Sequence, residues 1–180
     1  PEWDVEADTA RACQEQGLRF HGRPPLLEDA SENPRTLMEV EGRSKFVLAF
    51  SNRVNAFANT HPTREYLTGR WLDALASGAS LAGIVPRTHD TEHLLWPGAC
   101  LELGTIRRDE GLAVLAEAVQ AWTPEQAALN HRMALERLDW RFRFETLAVS
   151  LGEAPQRLKH ELQLLRQAVA DAQSVGQAAS

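Results

Sequence analysis

The chain has 180 residues, a length typical of one domain, since domains commonly contain about 100–200 residues. Its 19 Lys and Arg residues and 25 Asp and Glu residues give a formal net charge of −6. Binding to nucleic acid needs a positively charged surface, so nucleic acid is not an expected partner. The content of 43% apolar and 24% charged residues is that of a globular protein and argues against wholesale disorder. Apolar runs such as Phe46–Phe50 are far shorter than the roughly 20 residues that cross a bilayer, so we expect no membrane span.

The first ten residues contain four acidic side chains and no apolar segment of the kind found in signal peptides. The two cysteines, Cys13 and Cys100, lie far apart within apolar segments, where they suit a reducing compartment and the interior of a core. We therefore expect a cytoplasmic protein. The chain starts with Pro1 rather than Met, as it would if it began inside a longer protein.

Helix and strand patterns alternate through the first half of the chain. A helix is predicted over 5–16, ending at Gly17, and a short strand over 18–21. Asn33 and Pro34 are typical of a helix start, as cap and first helical residue. The nearly unbroken apolar run at 45–50 predicts a strand that is buried on both faces, as in parallel sheets.

The same alternation continues in the middle of the chain. A helix is predicted over 63–77, with Gly78 ending it, and a second buried strand over 80–85. A polar loop is predicted over 86–91, and a short fourth strand over 100–103. Four strands in this order predict an α/β domain with a Rossmann-like parallel sheet and flanking helices over residues 1–151.

The remaining sequence has helical patterns only, at 109–121, 124–138 and 141–151, followed by a C-terminal helical extension over 152–180 that starts its helix at Pro155. Residues 174–180 are predicted to be frayed. Leu158, Leu162, Leu165 and Val169 follow a spacing of four, three and four residues, which needs a partner surface. The simplest such surface is the domain itself or an absent N-terminal half, and a homodimer contact is the alternative.

Two acidic side chains in one window suggest a binding site. If Glu65 lies just before the helix and Asp73 lies in its second or third turn, both carboxylates can face one cleft and bind neighbouring sugar hydroxyls. Ligands of open parallel sheets bind outside the carboxyl ends of the strands. The loops after Phe50 and Val85 lie at such ends and contain Arg53 and Arg87, which suit a phosphate group.

Plainer interpretations exist for each of these residues. Glu65 favours a helix start by its charge, and Asp73 is spaced to pair with Arg70. Arg53 and Arg87 also fit solvated loop charges. His89 and His93 have the spacing of a helical metal pair, as in a small metal hydrolase, but no third ligand is clearly placed and no metal site is predicted.

The segment Glu65–x7–Asp73, which continues into Ala74-Leu75-Ala76-Ser77-Gly78, resembles the acidic element and helix of GT-B glycosyltransferases of the "glycosyl transferases group 1" type. Residues 66–76 are especially similar to the spore-coat-maturation branch of that superfamily. Residues 91–98 resemble the family's loop with a glutamate and a glycine, and residues 130–147 resemble its closing helix pair. The similarity covers roughly residues 18–151, with Asp73 in place of the family's second Glu.

The resemblance implies the C-terminal, donor-binding half of a GT-B enzyme about twice this length, which transfers a sugar from a nucleotide-sugar to an unknown acceptor. It implies that Asp73 binds the ribose and that Glu65 is the catalytic residue beside the donor sugar. The loop from Thr88 to Glu92 would lie near the diphosphate, with Arg53 or Arg87 offsetting its charge. No bound cofactor or metal is implied. The alternative is a non-catalytic domain that binds nucleotide or a partner protein through its helical tail.

Overall fold

The computed structural model describes residues 2–54, 61 and 63–178, with side chains up to residue 171. This part of the chain is an α/β structure with a three-stranded parallel sheet. After a single 3-10 turn at Glu2–Asp4, the elements follow in this order: α1 (Glu6–Glu15), α2 (Glu32–Gly42), β1 (Phe46–Phe50), α3 (Gly69–Ala76), β2 (Ser80–Ile84), α4 (His89–Leu94), β3 (Cys100–Glu102), α5 (Arg108–Ala121), α6 (Pro124–Arg137), α7 (Trp140–Ser150) and α8 (Gln156–Ala178).

The sheet has the strand order β1-β2-β3, so that β2 is central. Ala49 of β1 pairs with Gly83 of β2, which in turn pairs with Glu102 of β3. A Cβ atom at Gly83 would collide with the carbonyl oxygen of Ala49, so only glycine allows this close approach of the two strands. Because the three strands are parallel, their carboxyl ends lie at one edge of the sheet.

The predicted strand over 18–21 is wrong. Within the described residues this segment belongs to no sheet, and the sheet has three strands rather than four. Leu18 and Phe20 instead pack against the core without strand pairing. Alternating apolar side chains indicate one buried side, and an extended segment that covers a core satisfies that pattern as well as a strand does.

Three helix starts also differ from the prediction. Helix α3 begins at Gly69 rather than at residue 63, because the preceding segment is hydrogen-bonded to the loop after β1. The predicted loop at 86–91 contains the start of α4, whose cap is the side chain of Thr88. Helix α2 begins at Glu32, so Asn33, the predicted cap, lies inside the helix. The side chain of Asn33 accepts a hydrogen bond from the N–H of Leu27.

Helices cover both faces of the sheet because neighbouring strand residues point to opposite sides. Leu81 belongs to one buried cluster, which includes Trp71 and Leu75 of α3 and Trp96 after α4. Ala82 belongs to the other, which includes Trp3, Cys13 of α1 and residues of α5. Cys13 and Cys100 are both free thiols. This arrangement is the helix–sheet–helix layering that the alternating pattern predicted.

The seam on the last helix is covered by the chain itself. Leu162 and Leu165 of α8 are buried, and α8 packs against α6 and α7. This is the simplest of the partner surfaces considered above. Helix α8 continues to Ala178, beyond the start of the predicted frayed end, and residues 179–180 lie outside the described residues. No helix in the described part of the chain combines the length and apolarity needed to cross a membrane.

Candidate functional site at the carboxyl edge of the sheet

Glu65 lies at the carboxyl ends of β1 and β2. Its Oε1 accepts a hydrogen bond from the hydroxyl of Ser51, which directly follows β1, and its Oε2 accepts one from the backbone N–H of Arg87, 3.2 Å away. These bonds fix the carboxylate between the two strand ends. The hydrogen bond from Ser51 is the main cause that lowers the pKa of Glu65, and the backbone of Arg87 and the charges of Arg53 and Arg87 lower it further.

Asn52 anchors the backbone on both sides of Glu65. Its Nδ2 donates to the carbonyl oxygen of Arg64 at 2.8 Å, and its Oδ1 accepts from the N–H of Tyr66 at 3.2 Å. The side chain of Asn52 thus binds a backbone carbonyl and a backbone N–H of residues 64–66, as the backbone of a neighbouring strand would. The segment carrying Glu65 is therefore held before α3 begins.

An open cavity of about 480 Å³ lies at the same edge of the sheet; Arg87, whose backbone binds Glu65, is part of its lining, but Glu65 itself is not. Its lining includes three residues predicted to bind the donor, namely Arg87, Thr88 and Glu92. Glu102, His89 and Thr91 complete its polar lining, and Val85 and Pro86 form its apolar part. The cavity thus combines cationic, acidic and hydroxyl groups, as a ligand with both phosphate and hydroxyl groups would need.

The loop that forms one wall of this cavity is internally braced. Thr91 Oγ1 donates to the carbonyl oxygen of Pro86 at 2.6 Å, and the backbone N–H of Thr91 donates to Thr88 Oγ1 at 3.1 Å. The hydroxyl of Thr88 is thus occupied as the cap of α4. Because Arg87 lies inside this brace, its backbone position is fixed while its side chain is exposed.

Glu102 is a site residue that the sequence analysis missed. Its Oε2 accepts from the N–H of Val85 at 3.1 Å and its Oε1 from the N–H of Gly104 at 3.2 Å. Its carboxylate thereby joins the ends of β2 and β3 and lines the cavity. The available signal was an acidic residue at the carboxyl end of an otherwise apolar strand, since ligands of open parallel sheets bind at that edge.

Asp73 lies in the second turn of α3, as predicted, but it is not among the residues that line the cavity. Burial raises the pKa of Asp73. Its charge acts on Glu41, a buried residue in the last turn of α2. Burial first and the carboxylate of Asp73 second raise the pKa of Glu41 to about 7, and Arg70 opposes them. Within the described residues, no ion pair joins Asp73 to Arg70.

Of the six predicted site residues, Arg87, Thr88 and Glu92 line the cavity, whereas Glu65, Arg53 and Asp73 do not. Arg87 connects the cavity with Glu65, because its backbone binds Glu65 and its charge, with that of Arg53, acts on Glu65. Asp73 lies on the side of α3 that interacts with α2.

His89 and His93 are arranged unlike a metal pair. Their rings stack at a centroid distance of 3.7 Å with an interplanar angle of 20°, and Nδ1 of His93 lies 2.9 Å from the carbonyl oxygen of His89. Among the described residues, no group of three or more His, Cys, Asp or Glu side chains is placed to hold a metal ion. The stacked pair forms part of the surface of α4.

Comparison of the chain with protein families, with curated proteins and with solved structures finds no match.

Proposed function

We propose that this chain binds a nucleotide-sugar at the carboxyl edge of its sheet, as the donor-binding half of a GT-B glycosyltransferase. The observation that supports this best is the position of Glu65. Its ionised carboxylate is fixed by Ser51 and by the backbone of Arg87, near the guanidinium groups of Arg53 and Arg87, and Arg87 also lines a cavity of about 480 Å³. The sheet edge is also where open parallel sheets bind their ligands.

The charges of the site divide between the two parts of such a donor. The side chains of Arg53 and Arg87 are exposed near Glu65 and suit the diphosphate, because guanidinium groups bind phosphate oxygens through paired hydrogen bonds. Glu92 and Glu102 line the cavity and suit sugar hydroxyls, which donate hydrogen bonds to carboxylates. The negative charges of Glu92 and Glu102 also disfavour a phosphate group in the part of the cavity that would hold the sugar.

In the transfer step, the bond between the anomeric carbon and the diphosphate oxygen breaks, and the bonding electron pair stays on the diphosphate. Arg53 and Arg87 would stabilise the charge that develops on this leaving group. Glu65 would orient the sugar as a hydrogen-bond acceptor, because its lowered pKa keeps it ionised. The acceptor hydroxyl forms the new bond to the anomeric carbon, and its proton passes to the departing diphosphate.

The role of Asp73 as ribose ligand stays a prediction. Its carboxylate lies outside the cavity lining, so a ribose bound by Asp73 would extend from the cavity along α3. Replacement of Asp73 by Asn tests this directly. Loss of nucleotide binding would support the role, and unchanged binding would limit hydroxyl recognition to Glu92 and Glu102.

The proposal is tested by thermal unfolding of the chain with a panel of nucleoside diphosphates and nucleotide-sugars. A ligand at a hundred times its dissociation constant should raise the free energy of unfolding by about 2.7 kcal/mol. Arg87→Ala should raise the dissociation constant of that ligand at least tenfold. Arg35→Ala, which removes an exposed arginine of α2, should leave the dissociation constant unchanged. No shift with any member of the panel at millimolar concentration would refute the proposal.

The second candidate function is a non-catalytic domain that binds nucleotide or a protein partner. The exposed apolar side chains of α7 favour it, because they provide an interaction surface outside the cavity. Release of sugar from a nucleotide-sugar that the chain binds would favour the transferase, and stable binding without turnover would favour the binding domain.

A further inference from the structure

Helix α7 carries a row of large apolar side chains that the described structure leaves exposed. Trp140 is 69% exposed, Phe144 52%, Leu147 55% and Leu151, directly after the helix, 68%. The rings of Trp140 and Phe144 lie 6.2 Å apart. The four residues, called the α7 row below, are spaced by four, three and four positions, which places them on one side of a helix.

A flank of α7 next to the row packs against the chain. Arg141, just beside the row, is held by Asp139 at 2.7 Å, and Glu145 pairs with Arg166 of α8 at 3.3 Å. The comparable seam of α8 is already buried inside the chain, with Leu162 and Leu165 at its centre. The described residues therefore leave the α7 row exposed and cover the α8 seam.

We propose that the α7 row forms a homodimer contact, in which α7 packs antiparallel against α7 of a second copy about a two-fold axis. The spacings within the α7 row, four, three and four positions, are the same counted from either end. In an antiparallel pair, Trp140 faces Leu151 of the partner subunit, and Phe144 faces Leu147 of the partner subunit. Such self-complementarity is the requirement of a two-fold interface.

The charges on α7 also favour the antiparallel arrangement. Its basic residues, Arg141 and Arg143, lie in the first half of the helix. A parallel pair would bring these like charges together. An antiparallel pair places Arg143, the exposed one of the two, near the carbonyl-rich C-terminal end of the partner helix, where a cation is stabilised by the helix dipole.

The area of the row fits a weak dimer. With roughly 150–250 Å² for each large side chain, the exposed fractions leave about 450 Å² of apolar surface per copy. Two copies would bury about 900 Å² through these side chains, and flanking residues would bring the total near the roughly 1,000 Å² expected of a specific interface. We therefore expect dissociation in the micromolar range.

The test is sedimentation velocity of the 180-residue chain from about 1 to about 200 µM, a range that brackets micromolar dissociation constants. The expected result is a monomer at the lowest concentration and a dimer at the highest. Phe144→Glu and Leu147→Glu, two separate variants at exposed positions, should each remain monomeric throughout with an unchanged melting temperature.

The matched control is Val149→Glu. Val149 is 72% exposed on the same helix but points away from the α7 row, so its variant should dimerise as the unmodified chain does. A chain that stays monomeric at every concentration would overturn the proposal. So would a dimer that survives both row variants, or one that Val149→Glu disrupts equally. The contact does not depend on the proposed sugar-donor site.

Discussion

Ser51 and Glu65 are 14 positions apart in the chain, yet the fully buried hydroxyl of Ser51 donates a hydrogen bond to the carboxylate of Glu65. The backbone N–H of Arg87 donates to the other carboxylate oxygen. The loops after two neighbouring strands therefore meet on a single side chain. This relationship makes the position of Glu65 a property of the sheet edge rather than of the loop that carries it.

Replacement of Ser51 by Ala should destabilise the fold and disorder the site together. The lost bond is to a charged group, so we expect a decrease of about 1.5–3 kcal/mol in the free energy of unfolding. Denaturant unfolding at pH 7 measures this decrease. Ser150→Ala, which removes an exposed hydroxyl bonded within α7, is the control and should change stability by less than about 0.5 kcal/mol.

The effect of Ser51→Ala should also depend on pH. The bond lowers the pKa of Glu65 from its ordinary value of 4.5, so its contribution is present above that value and is lost as the pH falls through the lowered pKa. The difference between the two proteins should therefore shrink in acid. A difference that stays constant down to about pH 3 would contradict the assigned role of the carboxylate.

Asn130 of α6 should be among the most sensitive positions outside the site. It is fully buried; its Oδ1 accepts from Trp96 Nε1 at 3.1 Å, and its Nδ2 donates to the carbonyl oxygen of Ala79 at 3.1 Å. Asn130→Leu keeps the branched shape of the side chain but leaves both partners unsatisfied. We expect a loss of about 2–6 kcal/mol, since each buried polar group left without a partner costs about 1–3 kcal/mol.

Denaturant unfolding measures this loss, with Gln163→Leu on the exposed side of α8 as the control for adding a leucine. A decrease below about 1 kcal/mol for Asn130→Leu would show that the hydrogen bonds of Asn130 contribute little to stability.

Glu41 should make the stability fall as the pH rises. The pKa of Glu41 is about 7 in the folded chain and near its ordinary 4.5 when unfolded, so the folded state binds more protons between these values. At about 1.4 kcal/mol per pKa unit, the decrease from pH 4.5 to 7 is about 3 kcal/mol at most. Glu41→Gln should remove this decrease and stabilise the chain at pH 8.

The control for Glu41→Gln is Glu39→Gln, which makes the same change at an exposed position of the same helix. Asp73→Asn should lower the pKa of Glu41 and reduce the pH dependence in part, because the carboxylate of Asp73 is the second cause of the raised pKa. Chemical denaturation at several pH values measures both effects. Equal pH profiles for the unmodified chain and Glu41→Gln would disprove the assignment.

Gly83→Ala should prevent stable pairing of β1 and β2, because the added methyl group would occupy the position of the carbonyl oxygen of Ala49. A backbone oxygen cannot move aside as a flexible side chain can, so we expect a loss of at least about 4 kcal/mol or no folded protein. Gly17→Ala, where the new methyl group has open space but the backbone φ is +70°, should cost only about 1 kcal/mol. Circular dichroism and thermal unfolding distinguish the two.

The strands at the centre of the fold could be predicted from the sequence to within one residue. The runs at 45–50 and 80–85 are apolar except at their first residues, Lys45 and Ser80, and burial between two helix layers leaves few other structures for them. Gly78 was also recognisable as the end of α3, since its φ of +93° favours glycine. These features depend on local pattern and on backbone chemistry.

The arrangement of the site depended on contacts between distant segments. The sequence predicted that Glu65 lies just before a helix and that Arg87 follows a strand, but not that Glu65 would bind the backbone of Arg87. The environment of Asp73 was not predictable because it depends on Glu41, 32 positions earlier, which packs from another helix. Side-chain partners across elements are fixed by tertiary packing, which a pattern along one element does not contain.

The reactivity of the two free cysteines, Cys13 and Cys100, should report on local unfolding around each of them. Burial and the nearby charge of Glu102 raise the pKa of Cys100 to about 12, and burial raises the pKa of Cys13. Because the thiolate is the reactive form, both sulfurs should react slowly with alkylating reagents while the sheet is intact. The rate at which they are modified then measures how often α1 and β3 become exposed, without an added label and on each side of the sheet separately.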